Sequence, residues 1–218
     1  MPKRALVQKR PWLLASLTTA IAYYLLKDDN FPGTYLYGLE VASFFLLALY
    51  AVLRHQGSIA RIVASVMVLA GIGVMAVELD PYIGSAVLTV ANILAILIFL
   101  RSRRGALTQS QRLTALALLV LVPATAWLLS FDNQARFIVS AYGFVLGVMA
   151  AAAWTSRFTR YRVGIGAVLV VAAALVSIAG TGLLANSVLP GLFSWPFFYL
   201  GYFLICNGVV RAGHGEPA

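Results

Sequence analysis

The chain has 218 residues, of which 61% are hydrophobic and 11% are charged, and its formal net charge is +9. Charged residues make up about 25% of an average soluble domain, so this composition excludes a soluble globular protein and indicates an integral membrane protein. The basic excess would suggest nucleic-acid binding in a soluble protein. Here the bases lie between apolar runs, as expected of cytoplasmic flanks beside anionic lipid, so we expect no nucleic-acid partner.

Eight apolar runs follow one another along the chain. About 20 apolar residues in a helix cross a hydrocarbon layer of about 30 Å. We therefore predict an all-α fold, a polytopic membrane bundle of eight transmembrane helices in one domain that covers residues 1–218. The predicted spans are Pro11–Leu26, Thr34–Leu53, Ile59–Leu79, Tyr82–Leu100, Leu113–Leu129, Phe137–Thr155, Val163–Ala185 and Pro190–Val210.

The first run imitates a signal peptide, because basic residues precede it and an Ala20-Ile21-Ala22 stretch lies within it. The apolar run continues beyond that stretch to Leu26, so we interpret it as a first transmembrane helix.

The third and fourth runs form a membrane hairpin in this interpretation. Arg61 and Arg101 flank this hairpin, and a Glu78–Tyr82 turn with two acids joins its two helices. Cytoplasmic flanks collect Lys and Arg, so the turn faces away from the cytoplasm.

The distribution of bases over the whole chain predicts the orientation. With the amino terminus inside, the outer segments hold only Lys27 and Arg136, against fourteen bases inside. The inner bases are Lys3, Arg4, Lys9, Arg10, Arg54, Arg61, Arg101, Arg103, Arg104, Arg112, Arg157, Arg160, Arg162 and Arg211. Since insertion follows this count of bases, we predict that both termini are cytoplasmic and that the protein is multi-pass in a bacterial inner membrane.

Small residues indicate where helices approach closely, because lipid gives helices no hydrophobic reason to associate. Gly143 and Gly147 form one such face, and Gly164 with Gly166 forms another. The single Cys206 predicts no intrachain disulfide. We see no metal-ligand spacing and expect no cofactor.

Several stretches, in order, resemble the YhhN family of lysoplasmalogenase-like eight-helix membrane proteins. Leu69–Leu79 resembles that family's Gly-Asp helix, and Gly84–Asn92 resembles its Gly-x-x-x-Phe-x-x-Ala-His segment. Tyr142 followed by Met149 and an alanine cluster is similar to its sixth helix. Gly166–Ala174 matches the frame of Gly-Ala-x-Leu-Phe-x-x-Ser-Asp, and Trp195–Ile205 resembles the last helix, Tyr-Tyr-x-x-Gln-x-Leu-Ile.

The resemblance implies hydrolysis of the vinyl-ether bond of lysoplasmalogens, for which carboxylates and a histidine are the natural acid and base. At the matching positions this chain carries other residues. Val74 stands at the Asp of the Gly-Asp pair (Ile72 in the neighbouring frame), and Asn92 stands at the His. Ala173 and Ala174 replace the Ser-Asp pair, Tyr202 replaces the Gln, and Glu40-Val41 lies near the family's Lys-Pro pair.

Depth predicts that these positions share a cleft. At 1.5 Å per residue, Glu40 and Val74 lie about 8–9 Å below the outer helix ends, and Asn92, Ala174 and Tyr202 lie about 15–18 Å below them. We predict a cleft in the outer half of the bilayer, with Glu40 and Asn92 as candidate catalytic residues. The candidate substrate-binding residues are Val74, Tyr142, Ala173, Ala174, Tyr199 and Tyr202.

Each candidate also has a purely structural interpretation. Glu40 is the only acid well inside a span, and such acids mark functional sites, yet it could reach water or be protonated and bonded to a neighbouring helix. Asn92 could join helices by hydrogen bonds, and the tyrosines could simply pack. His55 and His214 lie outside the predicted cleft.

Three functions stay open at this point. The first is a lipid-binding protein for a lysophospholipid or similar single-chain amphiphile, with degenerate catalysis, since Val, Ala and Asn do not titrate. The second is an active hydrolase with a rearranged site, in which Glu40 acts as acid or base and Asn92 or Tyr202 orients water. The third is a small transporter subunit, against which stands the lack of a chain of ionisable groups.

Overall fold

The computed structural model describes residues 10–29, 32–54, 57–130 and 135–212. In this part of the chain the secondary structure is helical, with one isolated bridge between two loops. The helices are α1 Arg10–Leu26, α2 Gly33–Arg54, α3 Ser58–Leu79, α4 Pro81–Arg101, α5 Gln109–Leu129, α6 Ala135–Thr155, α7 Ile165–Gly180 and α8 Leu189–Ala212, with a π-helical turn Arg160–Gly164 leading into α7.

The all-α prediction is confirmed. Seven of the described helical segments are long and apolar enough to cross a membrane, if α7 is counted with its π-helical turn, and α1 is a shorter apolar helix. The faces of these helices also expose large aliphatic side chains; in α5, Leu113, Leu116, Val120 and Leu128 are each at least 59% exposed. Apolar surface on this scale is unfavourable in water and matches a lipid environment.

Two helix boundaries differ from the predicted spans by four or five residues. Helix α5 begins at Gln109 rather than Leu113, because Thr108 and Gln111 form a capping box: the Thr108 backbone N–H donates to Gln111 Oε1 at 2.9 Å, and the Gln111 N–H donates to Thr108 Oγ1 at 3.4 Å. Helix α7 ends at Gly180 rather than Ala185, and a series of turns follows.

The chain divides into two compact units, which we describe separately. The first takes in the described residues up to Leu94 and the end of α8 from Val209, and the second runs from Ala95 to Gly208.

In the first unit, α2 packs against both α1 and α3. Phe44 and Leu47 of α2 and Met67 of α3 are completely buried in its core. A side chain at Gly71 of α3 would overlap Phe44, with only 2.7 Å between the two Cβ atoms.

The hairpin between α3 and α4 is tighter than the sequence suggested, since Asp80 alone separates the two helices. Asp80 Oδ1 accepts hydrogen bonds from the backbone N–H groups of Tyr82 at 2.8 Å and Ile83 at 3.1 Å. Pro81 then occupies the first helical position, where its missing N–H costs nothing. Asp80 therefore ends one helix and caps the next.

In the second unit, α5 packs along α6, and α7 packs against both. A Cβ on Gly143 would lie 2.8 Å from Ala126 Cβ, and one on Gly147 would lie 2.8 Å from the Leu118 carbonyl oxygen. The predicted close-packing face of Gly143 and Gly147 is thus confirmed as the contact of α6 with α5.

The predicted close-packing role of Gly166 is also confirmed, and its partner is α8. A Cβ at Gly166 would lie 2.7 Å from the Gly201 carbonyl oxygen, and a Cβ at Gly201 would lie 2.7 Å from the Gly166 carbonyl oxygen. The reciprocal contact sets the crossing of α7 and α8, and so fixes the position of Tyr202, the next residue along.

Candidate functional site

Glu40 lies in the second turn of α2, with 1% of its surface exposed. Among the acids that the structure describes, it is the only one that is buried. Water therefore does not solvate this carboxyl, which excludes the interpretation in which Glu40 simply reaches the aqueous boundary.

Two serines fix the backbone around Glu40. Ser43 Oγ donates to the Glu40 carbonyl oxygen at 2.7 Å, and Ser16 Oγ of α1 donates to the Ser43 carbonyl oxygen at 2.6 Å. Both serine side chains are fully buried. Hydrogen bonds between helices are a common tie in membrane proteins, and this relay joins α1 to the backbone of α2 next to Glu40.

The two oxygens of the Glu40 carboxyl have different environments. The Tyr23 hydroxyl of α1 donates a hydrogen bond to the carboxyl. The other oxygen, Oε2, is buried and has no hydrogen-bond partner among the described residues. Glu78 of α3 is close enough to act on Glu40 electrostatically. A buried polar atom without a partner costs free energy. A ligand group that donates a hydrogen bond to Oε2 would therefore recover this free energy on binding.

The sequence did not single out Tyr23 or Ser16. Tyr23 lies one turn before the end of α1, where aromatic residues are common at a membrane surface, and its neighbour Tyr24 has the same character. A comparison of depths along antiparallel helices could have placed Tyr23 near Glu40, because each lies within about two turns of the end of its helix that adjoins the α1–α2 loop.

Val74 is half-buried on α3, beside a glycine that the packing requires. A Cβ at Gly73 would lie 2.7 Å from Leu88 Cδ2 and 3.2 Å from the Leu88 backbone nitrogen of α4. The glycine of the expected Gly-Asp pair therefore has a structural role here, whereas the side chain that follows it brings no titratable group.

Asn92 stands at the middle of α4 and is fully buried, with 0% of its surface exposed. It is the third candidate position that lies in the first unit. Its amide can both donate and accept hydrogen bonds but cannot take up or release a proton in the way that a histidine does.

The remaining candidates lie in the second unit. Tyr202 of α8 is 1% exposed, lies near Tyr142 of α6 and packs edge-on against Phe198, with ring centroids 4.9 Å apart. Tyr199, also buried, stacks on Trp195 at 6.1 Å. These rings form an aromatic cluster along α8.

Ala173 and Ala174 are buried on α7, at 2% and 8% exposure. Their small side chains bring no polar atom to the second unit, in contrast with the Ser-Asp pair that the resemblance leads one to expect.

The structure thus places the candidates in two separate units. Glu40, Val74 and Asn92 belong to the first unit, and Tyr142, Ala173, Ala174, Tyr199 and Tyr202 belong to the second. The shared cleft stays a prediction. His55 and His214 lie outside the described residues.

No group of three or more His, Cys, Asp or Glu side chains that could hold a metal ion occurs within the described ranges. The side-chain groups at this site are instead the Glu40 carboxyl and the Tyr23 phenol, since the Ser16 and Ser43 hydroxyls already donate to backbone carbonyl oxygens. A carboxyl with a phenol suits hydrogen bonding to a polar organic group.

Long apolar helices with lipid-compatible faces and a buried, partly unsatisfied carboxyl define the class: this is a polytopic helical integral membrane protein. Residues 35–209 match the model of the YhhN family, and the chain belongs to that family. No curated protein and no solved structure matches it significantly.

Proposed function

We propose that this protein binds a single-chain amphiphile of the lysophospholipid type in the membrane, with Glu40 as the main polar contact. We further propose that it is degenerate as a lysoplasmalogenase, the activity implied by the family resemblance. Asn92 is a secondary polar contact in this proposal. Val74, in the same unit, is a proposed apolar contact. Tyr142, Ala173, Ala174, Tyr199 and Tyr202, which belong to the second unit, stay predicted substrate-binding residues.

The observation that carries the binding proposal is the unsatisfied Glu40 Oε2. The Tyr23 hydroxyl bonds the carboxyl, and the Ser16–Ser43 relay fixes the backbone of α2 at Glu40. A ligand would therefore meet an acceptor that is already positioned. A lysophospholipid has a free glycerol hydroxyl that can donate to such an acceptor, and its acyl or alkenyl chain fits an apolar surrounding.

The substituted positions support degeneracy. Hydration of a vinyl ether needs a proton donor and a base that positions water. The positions that match the family's titratable residues are Val74, Asn92 and Ala174 in this chain, and removal of an acid–base set leaves a residual rate that comes from binding alone. We therefore expect binding with little turnover.

The same carboxyl also favours a second candidate function. Glu40 lies in hydrogen-bond contact with the Tyr23 hydroxyl and near Glu78, and a buried acid with a polar neighbour is a typical proton donor. In this alternative the protein is an active vinyl-ether hydrolase with a rearranged site, in which Glu40 supplies the proton.

A binding experiment tests the first proposal. Purified protein is titrated with lysophosphatidylcholine and with a choline lysoplasmalogen, and ligand binding is measured by tryptophan fluorescence. A hydrogen bond contributes about 0.5–1.5 kcal/mol, so Glu40→Gln should weaken binding by about two- to tenfold. Glu78→Gln makes the same substitution at an exposed neighbour and serves as the control. Equal losses in the two variants, or no loss in either, would reject Glu40 as the polar contact.

An assay of aldehyde release separates the two candidate functions. The degenerate protein should release aldehyde from a lysoplasmalogen at a rate near that of protein-free micelles. Robust turnover that Glu40→Gln abolishes would establish the rearranged hydrolase instead. Turnover that Glu40→Gln leaves intact would reject both the proposed degeneracy and Glu40 as the proton donor.

We also propose a bacterial inner membrane as the location, with both termini cytoplasmic, on the strength of fourteen inner bases against two outer ones. Single cysteines at Ser58 and Asn186, in a Cys206→Ala background, test this orientation. A membrane-impermeant thiol reagent added to intact cells should label only the cysteine at 186, and the opposite labelling would overturn the orientation.

A further inference from the structure

The second unit carries a concentration of arginines at one end, where α4 and α6 finish and where α5 and the π-helical turn before α7 begin. The seven arginines lie at helix ends and in the two loops between them. They are Arg101, Arg103, Arg104, Arg112, Arg157, Arg160 and Arg162.

Hydrogen bonds hold the two loops together. The Arg157 backbone N–H donates to the Ser102 carbonyl oxygen at 2.7 Å, and Arg157 Nε donates to the Arg103 carbonyl oxygen at 3.0 Å. In the other direction, Arg104 Nε donates to the Ser156 carbonyl oxygen at 2.8 Å. Two guanidinium groups are thus used to fix the loops, so the remaining arginines project from a defined backbone rather than from flexible segments.

A packed aromatic pair also joins the second loop to the end of α4. Phe158, in the second loop, lies edge-on to Phe99 near the end of α4, with ring centroids 6.2 Å apart. Both rings are buried, at 7% and 0% exposure.

The positive charge at this end has no internal counterpart. No Asp or Glu occurs among the described residues of the second unit. The Arg101, Arg103, Arg112 and Arg157 side chains are exposed, and like charges gathered on one face repel one another. An external anion would relieve this repulsion.

A buried amide at the same end independently indicates a missing acceptor. Gln111, in the first turn of α5, is 1% exposed. Its Oε1 accepts the Thr108 N–H, while its Nε2 is buried with no hydrogen-bond partner in the part of the chain that the structure describes. Buried donors are nearly always satisfied, so an oxygen from outside the chain is the expected partner.

We propose that this arginine-rich end of the second unit is a binding site for the phosphate headgroup of an anionic phospholipid. Its surroundings favour a lipid over a free phosphate ion. Leu113, Leu116 and Val120 form an exposed apolar stripe on α5 directly next to Arg112, each about 60% exposed. A headgroup on the arginines would place its acyl chain along this stripe, and Tyr161, 83% exposed, is an aromatic residue of the kind found at membrane interfaces.

Binding of dioleoyl phosphatidylglycerol to the full-length protein in detergent tests the site, with affinity measured from the lipid-dependent rise in Tm and from lipid adducts in native mass spectrometry. Arg103→Gln/Arg160→Gln removes two bases whose side chains make no hydrogen bonds within the described residues. Each base near a membrane surface contributes about fivefold, so the double variant should bind about 25-fold more weakly.

The control is Arg61→Gln/Arg211→Gln, which removes the same charge from the first unit. It should bind phosphatidylglycerol as the unmodified protein does. An equal loss in the control would show that net charge alone attracts the lipid and would overturn the site. The lipid-free Tm of each variant identifies any loss that comes from misfolding, and Arg103→Lys/Arg160→Lys, which keeps both charges, should restore most of the affinity.

Two further ligands decide which molecule the site recognises. Dioleoyl phosphatidylcholine, whose headgroup has no net charge, should give no comparable stabilisation. Inorganic phosphate at the same concentration should also give none; stabilisation by phosphate that matches that of phosphatidylglycerol would overturn the lipid assignment. This inference is independent of the function proposed for Glu40.

Discussion

The close contact of α7 with α8 predicts that Gly201→Ala destabilises the protein. The added methyl group would lie 2.7 Å from the Gly166 carbonyl oxygen and 2.9 Å from the Val170 backbone nitrogen, where 3.4–4 Å is ordinary contact. Both atoms belong to the backbone of α7 and cannot rotate aside, so the two helices must separate by several tenths of an ångström.

The magnitude follows from two opposing effects. Overpacking of a close contact costs about 1–3 kcal/mol, whereas alanine gains about 1 kcal/mol over glycine inside a helix. We expect Gly201→Ala to lower the free energy of unfolding by up to about 2 kcal/mol. Gly38→Ala is the matched control: nothing lies within 4 Å of its added methyl group, so the helix preference alone should act and stabilise the protein by up to about 1 kcal/mol.

Reversible unfolding in mixed micelles of dodecyl maltoside with increasing sodium dodecyl sulfate, followed by far-UV circular dichroism, measures both variants. If Gly201→Ala proves as stable as Gly38→Ala, the helices do not approach as closely as described and the reasoning fails. A loss of stability that disappears in Gly166→Ala/Gly201→Ala would refute it equally, because the second methyl group meets the Gly201 carbonyl oxygen and should add to the damage.

Three further changes are measured in the same unfolding assay. Tyr23→Phe removes the hydroxyl that donates to Glu40 and should cost about 1–2 kcal/mol; no loss would mean that this hydrogen bond contributes nothing to stability. Arg104→Lys removes the Nε donor that binds the Ser156 carbonyl oxygen and should cost about 1 kcal/mol, since a lysine has no group at that position. Thr108→Ala breaks the capping box of α5 and should cost about 1 kcal/mol; an unchanged midpoint would contradict the capping role.

Only some of the polar residues at the site could be identified from the local sequence pattern. Glu40 could be found from the sequence, because an acid inside an apolar run is costly wherever the helix packs. Tyr23, Ser16 and Ser43 could not be singled out, since tyrosine and serine are common in membrane helices and only their placement against Glu40 gives them significance.

The exact ends of the helices also could not be predicted from the apolar pattern. Apolar length predicted that α5 and α7 exist, but not that the capping box at Thr108 starts α5 at Gln109, nor that α7 stops at Gly180. Capping and turn bonds involve a few polar atoms at each end, and a count of apolar residues does not include them.

By itself, the amino-acid sequence determined that this protein is a helical membrane protein of the YhhN type, because length and hydropathy act on each helix separately and the family frame is a matter of spacing. Only the tertiary structure decided which glycines allow helices to touch, which hydroxyl reaches Glu40 and which arginines are used to join the loops. Those outcomes depend on atoms far apart in the chain that packing brings into contact, and no local pattern encodes such contacts.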